Sequence, residues 1–242
     1  MTGKTTIEWT WPPGYVGAVW NPTVGCTRVS AGCDNCYAFA LHDMRYKANL
    51  DDALLAHAAI VSFPSDPMRP SEMVAWARAH EVKLPFPKQY DLPFSRVQLL
   101  PERLDAPLRT RKPTCYFVDS MADLFHEDVP DEYIDDVFAR MVAAPRHRFL
   151  ILTKRPERMR DYTARLIERR VAEVHEWPAR NVWLGTSIED QRSADERIPH
   201  LLATPAAMRF LSCEPLLARM DLGAFLRPSD GVSPEVGDYE LI

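Results

Sequence analysis

Four short runs in this chain are apolar at almost every consecutive position. They are Cys-Tyr-Phe-Val at 115–118, Phe-Leu-Ile-Leu at 149–152, Val-Trp-Leu at 182–184 and Arg-Phe-Leu-Ser-Cys at 209–213. A strand with one wet face alternates apolar and polar residues, whereas a continuous apolar run fits a strand covered on both faces, as in a parallel sheet. The expected strands are Ala18–Trp20, Arg96–Leu100, Cys115–Asp119, Arg148–Thr153, Asn181–Thr186 and Met208–Ser212. Helical patterns fall between them, at Tyr37–Lys47, Asp131–Ala143, Pro156–Glu173 and Ala194–Leu202. The Val129-Pro-Asp-Glu run is a helix-start signal, with proline and acids ahead of apolar residues at helical spacing. Alternating strand and helix define an α/β protein, either an open doubly wound sheet or a full or partial barrel. Six such strands make a partial (β/α)6, TIM-like barrel.

Residues 48–94 interrupt the alternation. This inserted helical and proline-rich segment holds helical stretches at Leu54–Ile60 and Ser71–His80, and prolines from Pro64 to Pro93. It reads either as a lid or substrate platform over the barrel mouth or as a surface excursion with no catalytic part. The tail, about 227–242, is polar and ends on Tyr-Glu-Leu-Ile, as if a further strand begins there. Residues 1–242 read as a single domain.

With 242 residues, 46% of them hydrophobic and 26% charged, the chain has ample material for one core. Its net charge of −5 excludes a global basic field, so phosphate contacts would have to come from local runs such as Arg103–Lys112 and Arg146–Arg160. No apolar run reaches the roughly 18 residues of a membrane span, and the N-terminus does not read as a signal peptide. Five cysteines in such a chain favour a reducing cytoplasm and metal binding over disulfides.

Three of those cysteines, Cys26, Cys33 and Cys36, fall within eleven residues in a Cys-x6-Cys-x2-Cys pattern. Three clustered thiolates without a fourth suit a [4Fe–4S] cluster in which one iron stays open to a ligand. Gly25 and Gly32 are expected to turn the loop with positive φ. The loop follows the first strand and precedes the first helix, which places it at the C-terminal face, where barrel enzymes keep their chemistry. The spacing equally admits a structural zinc site with His42 as fourth ligand. Cys115 and Cys213 are isolated in apolar stretches and read as small core residues, with Cys213 also a possible hydrogen-atom donor or auxiliary ligand.

The run Trp20-Asn-Pro-Thr-Val-Gly-Cys, continued by Ser-Ala-Gly-Cys-Asp-Asn-Cys-Tyr-Ala38, resembles the signature of the phage-associated three-cysteine-motif family, long catalogued as phage protein of unknown function. Four later blocks agree with it: Phe117-Val-Asp-Ser-Met-Ala-Asp-Leu-Phe-His126, Leu152-Thr-Lys-Arg-Pro-Glu-Arg-Met159, Asn181-Val-Trp-Leu-Gly-Thr-Ser187 and Phe210-Leu-Ser-Cys-Glu-Pro-Leu-Leu217. The resemblance spans about Trp20 to Leu222. Members of that family are similar to radical S-adenosylmethionine (SAM) enzymes, with a longer first cysteine gap than the usual Cys-x3-Cys-x2-Cys. The resemblance also implies a continuation into another strand and a Gly-Gly-Glu-Ser-Gly segment, which this sequence does not contain; it is a short member or a truncated one.

What the resemblance implies is a barrel of radical SAM type, with the cluster on Cys26, Cys33 and Cys36 and SAM as the second cofactor. Lys154 and Arg155, directly after a strand, are the candidates for the SAM carboxylate, and one of the two suffices. Ser120 and Ser187 are candidates for hydroxyl contacts to SAM, and Thr186 shares the strand end with Ser187. Glu214 and Asp123 are the candidate catalytic carboxylates. Each has a plainer reading: Asp123 as a helix cap, Glu214 as partner of a structural arginine, Ser187 as a cap of the following helix. His126 reads as an acid–base group or a surface histidine, Asn21 as a hydrogen-bond partner of the cysteine loop or of substrate, and Trp20 and Trp183 as core.

The implied substrate is nucleobase-derived, a hypermodified thymine in phage DNA, with isomerisation or lysis of the modified base as the reaction. Implied partners are SAM, DNA or a nucleotide, a flavodoxin-like reductant (dithionite in vitro) and a companion protein, in the cytoplasm of the host cell if the chain is phage-encoded. Two rival expectations stand beside this: a zinc-stabilised, non-catalytic adaptor, and a cluster-bearing nuclease or repair protein that does not use SAM.

Overall fold

The computed structural model describes residues 3–5, 7, 10–49, 69–82, 84, 86–169, 177–226 and 239–241. Its centre is a seven-stranded sheet. In spatial order the strands are β1 (Gly3–Lys4), β2 (Val16–Trp20), β5 (Thr114–Val118), β6 (Arg148–Thr153), β7 (Val182–Ser187), β8 (Met208–Ser212) and β9 (Tyr239–Leu241). β1 is antiparallel to β2 and every other pairing is parallel. From β2 onward the spatial order is the sequence order, without the reversal that marks a doubly wound sheet.

Five of the six expected strands lie in this sheet. Arg96–Leu100 does not: only Gln98–Leu99 (β4) is strand, and it pairs antiparallel with Thr23–Val24 (β3) in a separate two-stranded sheet. Composition identifies a strand but not its partner. Here the partner is the segment directly after β2, and Leu100 N–H donates to the Pro22 carbonyl to extend that contact. The tail supplies the sixth parallel strand instead, at Tyr239–Leu241.

The helices are α1 (Tyr37–Ala48), α2 (Pro70–Ala79), α3 (Ala106–Arg109), α4 (Asp131–Val142), α5 (Pro156–Arg169), α6 (Gln191–Leu202) and α7 (Gly223–Leu226). α4 begins after Pro130 with Asp131 and Glu132 in its first turn, where acids favour the free N–H groups. α6 starts earlier than the apolar pattern suggests, because Asp190 caps it by accepting the Ser193 N–H at 2.8 Å. Ile134, Phe138 and Met141 of α4, Met159 and Tyr162 of α5 and Leu201 of α6 all bury into one core with Trp20, Tyr116, Phe149 and Leu184 of the strands. These helices therefore cover the same face of the sheet, as right-handed crossovers in constant strand order require.

The other face carries the alternate strand residues. Cys115, Leu150 and Phe210 form a smaller cluster there. Phe210 lies over Gly185, where a Cβ would stand 2.5 Å from the ring, and Gly17 leaves similar room for Trp11. The described part of the insertion has its own small core of Val74, Ala77, Leu84, Phe86 and Tyr90, pinned by the Arg78–Asp91 ion pair. It docks on α1 through Tyr90, whose hydroxyl accepts from Arg45 at 2.6 Å. Helix α2 replaces the expected Ser71–His80 almost residue for residue, while Leu54–Ile60 lies outside the described residues. No described helix is long and apolar enough to cross a membrane.

Candidate functional site

At the C-terminal ends of the parallel strands lies a cavity of about 720 Å³, within the range of small-molecule sites. It brings together nine of the residues singled out by sequence, while Asn21, His42, His126, Thr186 and Cys213 are not in its lining. Cys26, Cys33 and Cys36 line it together with Ser120 and Asp123 after β5, Lys154 and Arg155 after β6, Ser187 at the end of β7 and Glu214 after β8. Phe94, Phe117 and Leu152 supply apolar wall. Of the described insertion residues only Phe94 reaches the cavity, and its ring packs on Phe39 of α1 at 5.6 Å.

The cysteine loop is fixed at both ends. Gly25 has φ +102°, and a Cβ there would meet the Arg96 carbonyl oxygen at 2.5 Å, so this position requires glycine. Gly32 departs from expectation: its φ is not positive. It is needed because the Glu189 carboxyl fills the space a side chain would occupy. Cys36 is the N-cap of α1 and its sulfur makes no capping bond, so the free N–H groups of that helix start beside it.

Cys26 Sγ lies 3.5 Å from Arg155 Nη1. Burial, reinforced by Asp123 and opposed by Arg155, pushes the Cys26 thiol up to about 12, so a metal binding there must displace a tightly held proton. Among the described residues, no three His, Cys, Asp or Glu side chains converge closely enough to hold a single ion. The three cysteines nevertheless border one cavity. Three thiolates without a fourth are the donor set of a [4Fe–4S] cluster that leaves one iron open.

His42 does not join them. It is a fully buried residue of α1, with Nε2 2.8 Å from the Gln89 carbonyl and its ring against Tyr90 and Phe94.

Asp123 is buried and engaged on both oxygens. Thr153 Oγ1 donates to Oδ1 at 2.7 Å and Phe125 N–H to the same oxygen at 3.0 Å, while Arg155 Nη1 donates to Oδ2 at 3.1 Å. It holds a turn and an arginine. Arg155 is likewise committed to its neighbours. Among the described residues the Lys154 ammonium makes no ion pair, which leaves it the open cation of the pair. Ser120 donates to Asn21 Oδ1 at 3.1 Å, which engages Asn21 with the segment after β5 rather than with the cysteine loop. Ser187 ends β7 opposite Ser212 of β8, and both line the cavity. Glu214 is exposed at the rim, with no ion pair to an arginine among the described residues.

His126 is neither a surface residue nor a cavity one. It is buried, its Nδ1 accepts the Asp128 N–H at 3.1 Å, and its Nε2 therefore carries the proton and donates to Thr27 Oγ1 at 2.8 Å. Burial, then Arg155, lowers its pKa. Sequence reasoning passed over Thr27, Asp119, Ser212 and the Glu189–Arg197 pair. Ser212 was legible, since it ends an apolar run as Ser187 does. Asp119 closes β5 with φ +56° and accepts from Thr23 N and Oγ1 at 3.0 and 2.8 Å.

Fold and site together define an α/β protein of sequentially ordered parallel strands, with a cysteine-lined, ligand-sized cavity at their C-terminal ends. The chain belongs to the family described as protein of unknown function (DUF5131), whose model matches residues 4–226. No curated protein and no solved structure matches it.

Proposed function

We propose that the protein is a radical SAM enzyme, with a [4Fe–4S] cluster on Cys26, Cys33 and Cys36 and SAM in the adjoining cavity. The observation that carries this reading is the convergence of nine side chains, chosen from sequence, on one cavity. The sequential strand order, the single helix-covered face and the apolar inner face support a partial (β/α)6 barrel.

Cys26, Cys33 and Cys36 would hold the cluster, which with an external reductant would supply the reductive cleavage of SAM and hydrogen abstraction from substrate. The chain's own groups bind and orient. Lys154 offers a cation to the methionyl carboxylate, Glu214 a carboxylate to its amine, and Ser120 and Ser187 hydroxyls to the ribose. Asp123 acts through Arg155 rather than on substrate. Phe94, Phe117 and Leu152 keep water from the reacting end.

The substrate in this reading is nucleobase-derived, with an aromatic plane suited to the apolar wall. Arg109, Arg111 and Lys112 precede β5 and so lie at the opposite end of the strands from the cavity. Arg146 is bonded to the carbonyls of Leu108 and Thr110, also at that end. These four give phosphates no grip at the cavity, while Lys154 and Arg155 of the Arg146–Arg160 run line it, a local cationic pair suited to a nucleotide or a base presented by a companion protein. His42, the fourth ligand that the zinc-adaptor reading needs, bonds through Nε2 to the Gln89 carbonyl and is not in the cavity lining.

Anaerobic reconstitution with iron and sulfide tests the proposal. The expected product is brown, with about four irons per chain, lost in each of Cys26→Ala, Cys33→Ala and Cys36→Ala. A colourless, zinc-loaded chain would overturn it.

A further inference from the structure

All three nitrogens of the Arg155 guanidinium are occupied, and the side chain is 12% exposed. Nε donates to Glu127 Oε2 at 3.1 Å and Nη1 to Asp123 Oδ2 at 3.1 Å. Nη2 donates to Thr27 Oγ1 at 2.9 Å and to the Thr27 carbonyl at 3.3 Å. The acceptors are themselves held. Thr153 Oγ1 donates to Asp123 and accepts the Arg155 backbone N–H at 2.8 Å, which closes a ring, and His126 donates to Thr27. A planar fork gripped from two sides cannot swing into the cavity. Its remaining reach, from Nη1 at 3.5 Å, is to the Cys26 sulfur.

We propose that Arg155 is a positioning residue for Cys26, clamping the cysteine loop and setting, through its N–H to the sulfur, the reduction potential of the cluster bound there. This rests on the cluster reading above. A donor aimed at a cluster thiolate stabilises the electron-richer state more than the oxidised one, so it raises the potential. Lysine in its place keeps the charge but loses the fork, and with it the simultaneous hold on Asp123, Thr27 and Cys26.

The test compares wild type, Arg155→Lys and Thr27→Val after anaerobic reconstitution, titrating each with dithionite under electron paramagnetic resonance. One electron from dithionite reduces one cluster. Both variants leave formal charge unchanged, so charge alone predicts no shift. The expected result is full iron content with Arg155→Lys reduced tenfold less favourably, about 59 mV more negative, and Thr27→Val displaced in the same direction. In the metal-free protein, amide hydrogen exchange of the segment 26–30 is expected to quicken in both variants. Unchanged potentials and unchanged exchange in iron-replete variants would overturn the inference and leave the cluster reading intact. Wild type that binds no iron–sulfur cluster would overturn both.

Discussion

Gly32 lies against the carboxyl group of Glu189: a Cβ at position 32 would stand 2.9 Å from Glu189 Cδ. Glu189 cannot step aside, being 1% exposed and bonded to Arg197 through both oxygens, at 2.9 and 3.2 Å. The Glu189 carbonyl also accepts from Leu217 N–H at 2.8 Å. One buried ion pair thus supports the cysteine loop, the end of β7 and the segment after β8. Gly32→Ala is expected to cost about 1–3 kcal/mol through overpacking, read by urea unfolding, and to lower iron retention after desalting. Wild-type stability in that variant would show that the loop gives way more easily than its contacts imply.

The Glu189–Arg197 pair itself should behave as a buried one. Arg197→Met leaves the carboxylate without its partner, and a loss of roughly 3–5 kcal/mol is expected in the unfolding free energy. Arg165→Met, which removes a half-exposed partner of Asp131, should cost under about 1 kcal/mol. Similar losses in the two variants would contradict the burial argument.

Why some of this was legible in the sequence and some was not follows from range. Arg148–Thr153 and Met208–Ser212 were read to the residue because a continuous apolar run needs no knowledge of its neighbours. The cysteine loop announced itself by residue type. Gly25 was read correctly, and Gly32 for the wrong reason, since its constraint is a carboxylate more than 150 residues away. Asp123 and Arg155 both line the cavity, and their mutual bond was not legible because it joins two different strand ends. His126 looked superficial among Glu127 and Asp128, yet Thr27, 99 positions away, buries it.

Stability should carry a pH signature from Asp119. Burial, countered by its bonds from Thr23 and the nearby Arg103 and reinforced by Asp123, raises its carboxyl to about 7. The folded state then holds this proton more tightly than the unfolded chain, whose value is about 3.9. Its contribution is therefore fully present below the unfolded value and is lost as pH rises towards 7. His42, His126 and His147, all lowered by burial, act oppositely, their contribution being lost as pH falls below about 6.5. The difference between wild type and Asp119→Asn isolates the Asp119 share. In urea unfolding from pH 4.5 to 7.5, wild type should lose stability relative to the variant as pH rises. A constant difference would refute the assignment.

Lys154 and Arg155, adjacent in sequence, should separate in function. Lys154→Ala is expected to keep its iron and to bind SAM roughly 10–100-fold more weakly, the loss of one charge-assisted hydrogen bond. Anaerobic calorimetry on the reconstituted protein reads this directly. Unaltered SAM affinity would remove Lys154 from the cofactor site.

Cleavage of SAM that depends on the three cysteines is the central claim. The most direct measurement is chromatography of reconstituted protein incubated anaerobically with SAM and dithionite, following 5′-deoxyadenosine. The prediction is 5′-deoxyadenosine from wild type and none from Cys26→Ala, Cys33→Ala or Cys36→Ala. Intact SAM beside an iron-replete wild-type protein, or 5′-deoxyadenosine that persists without the cysteines, would contradict it.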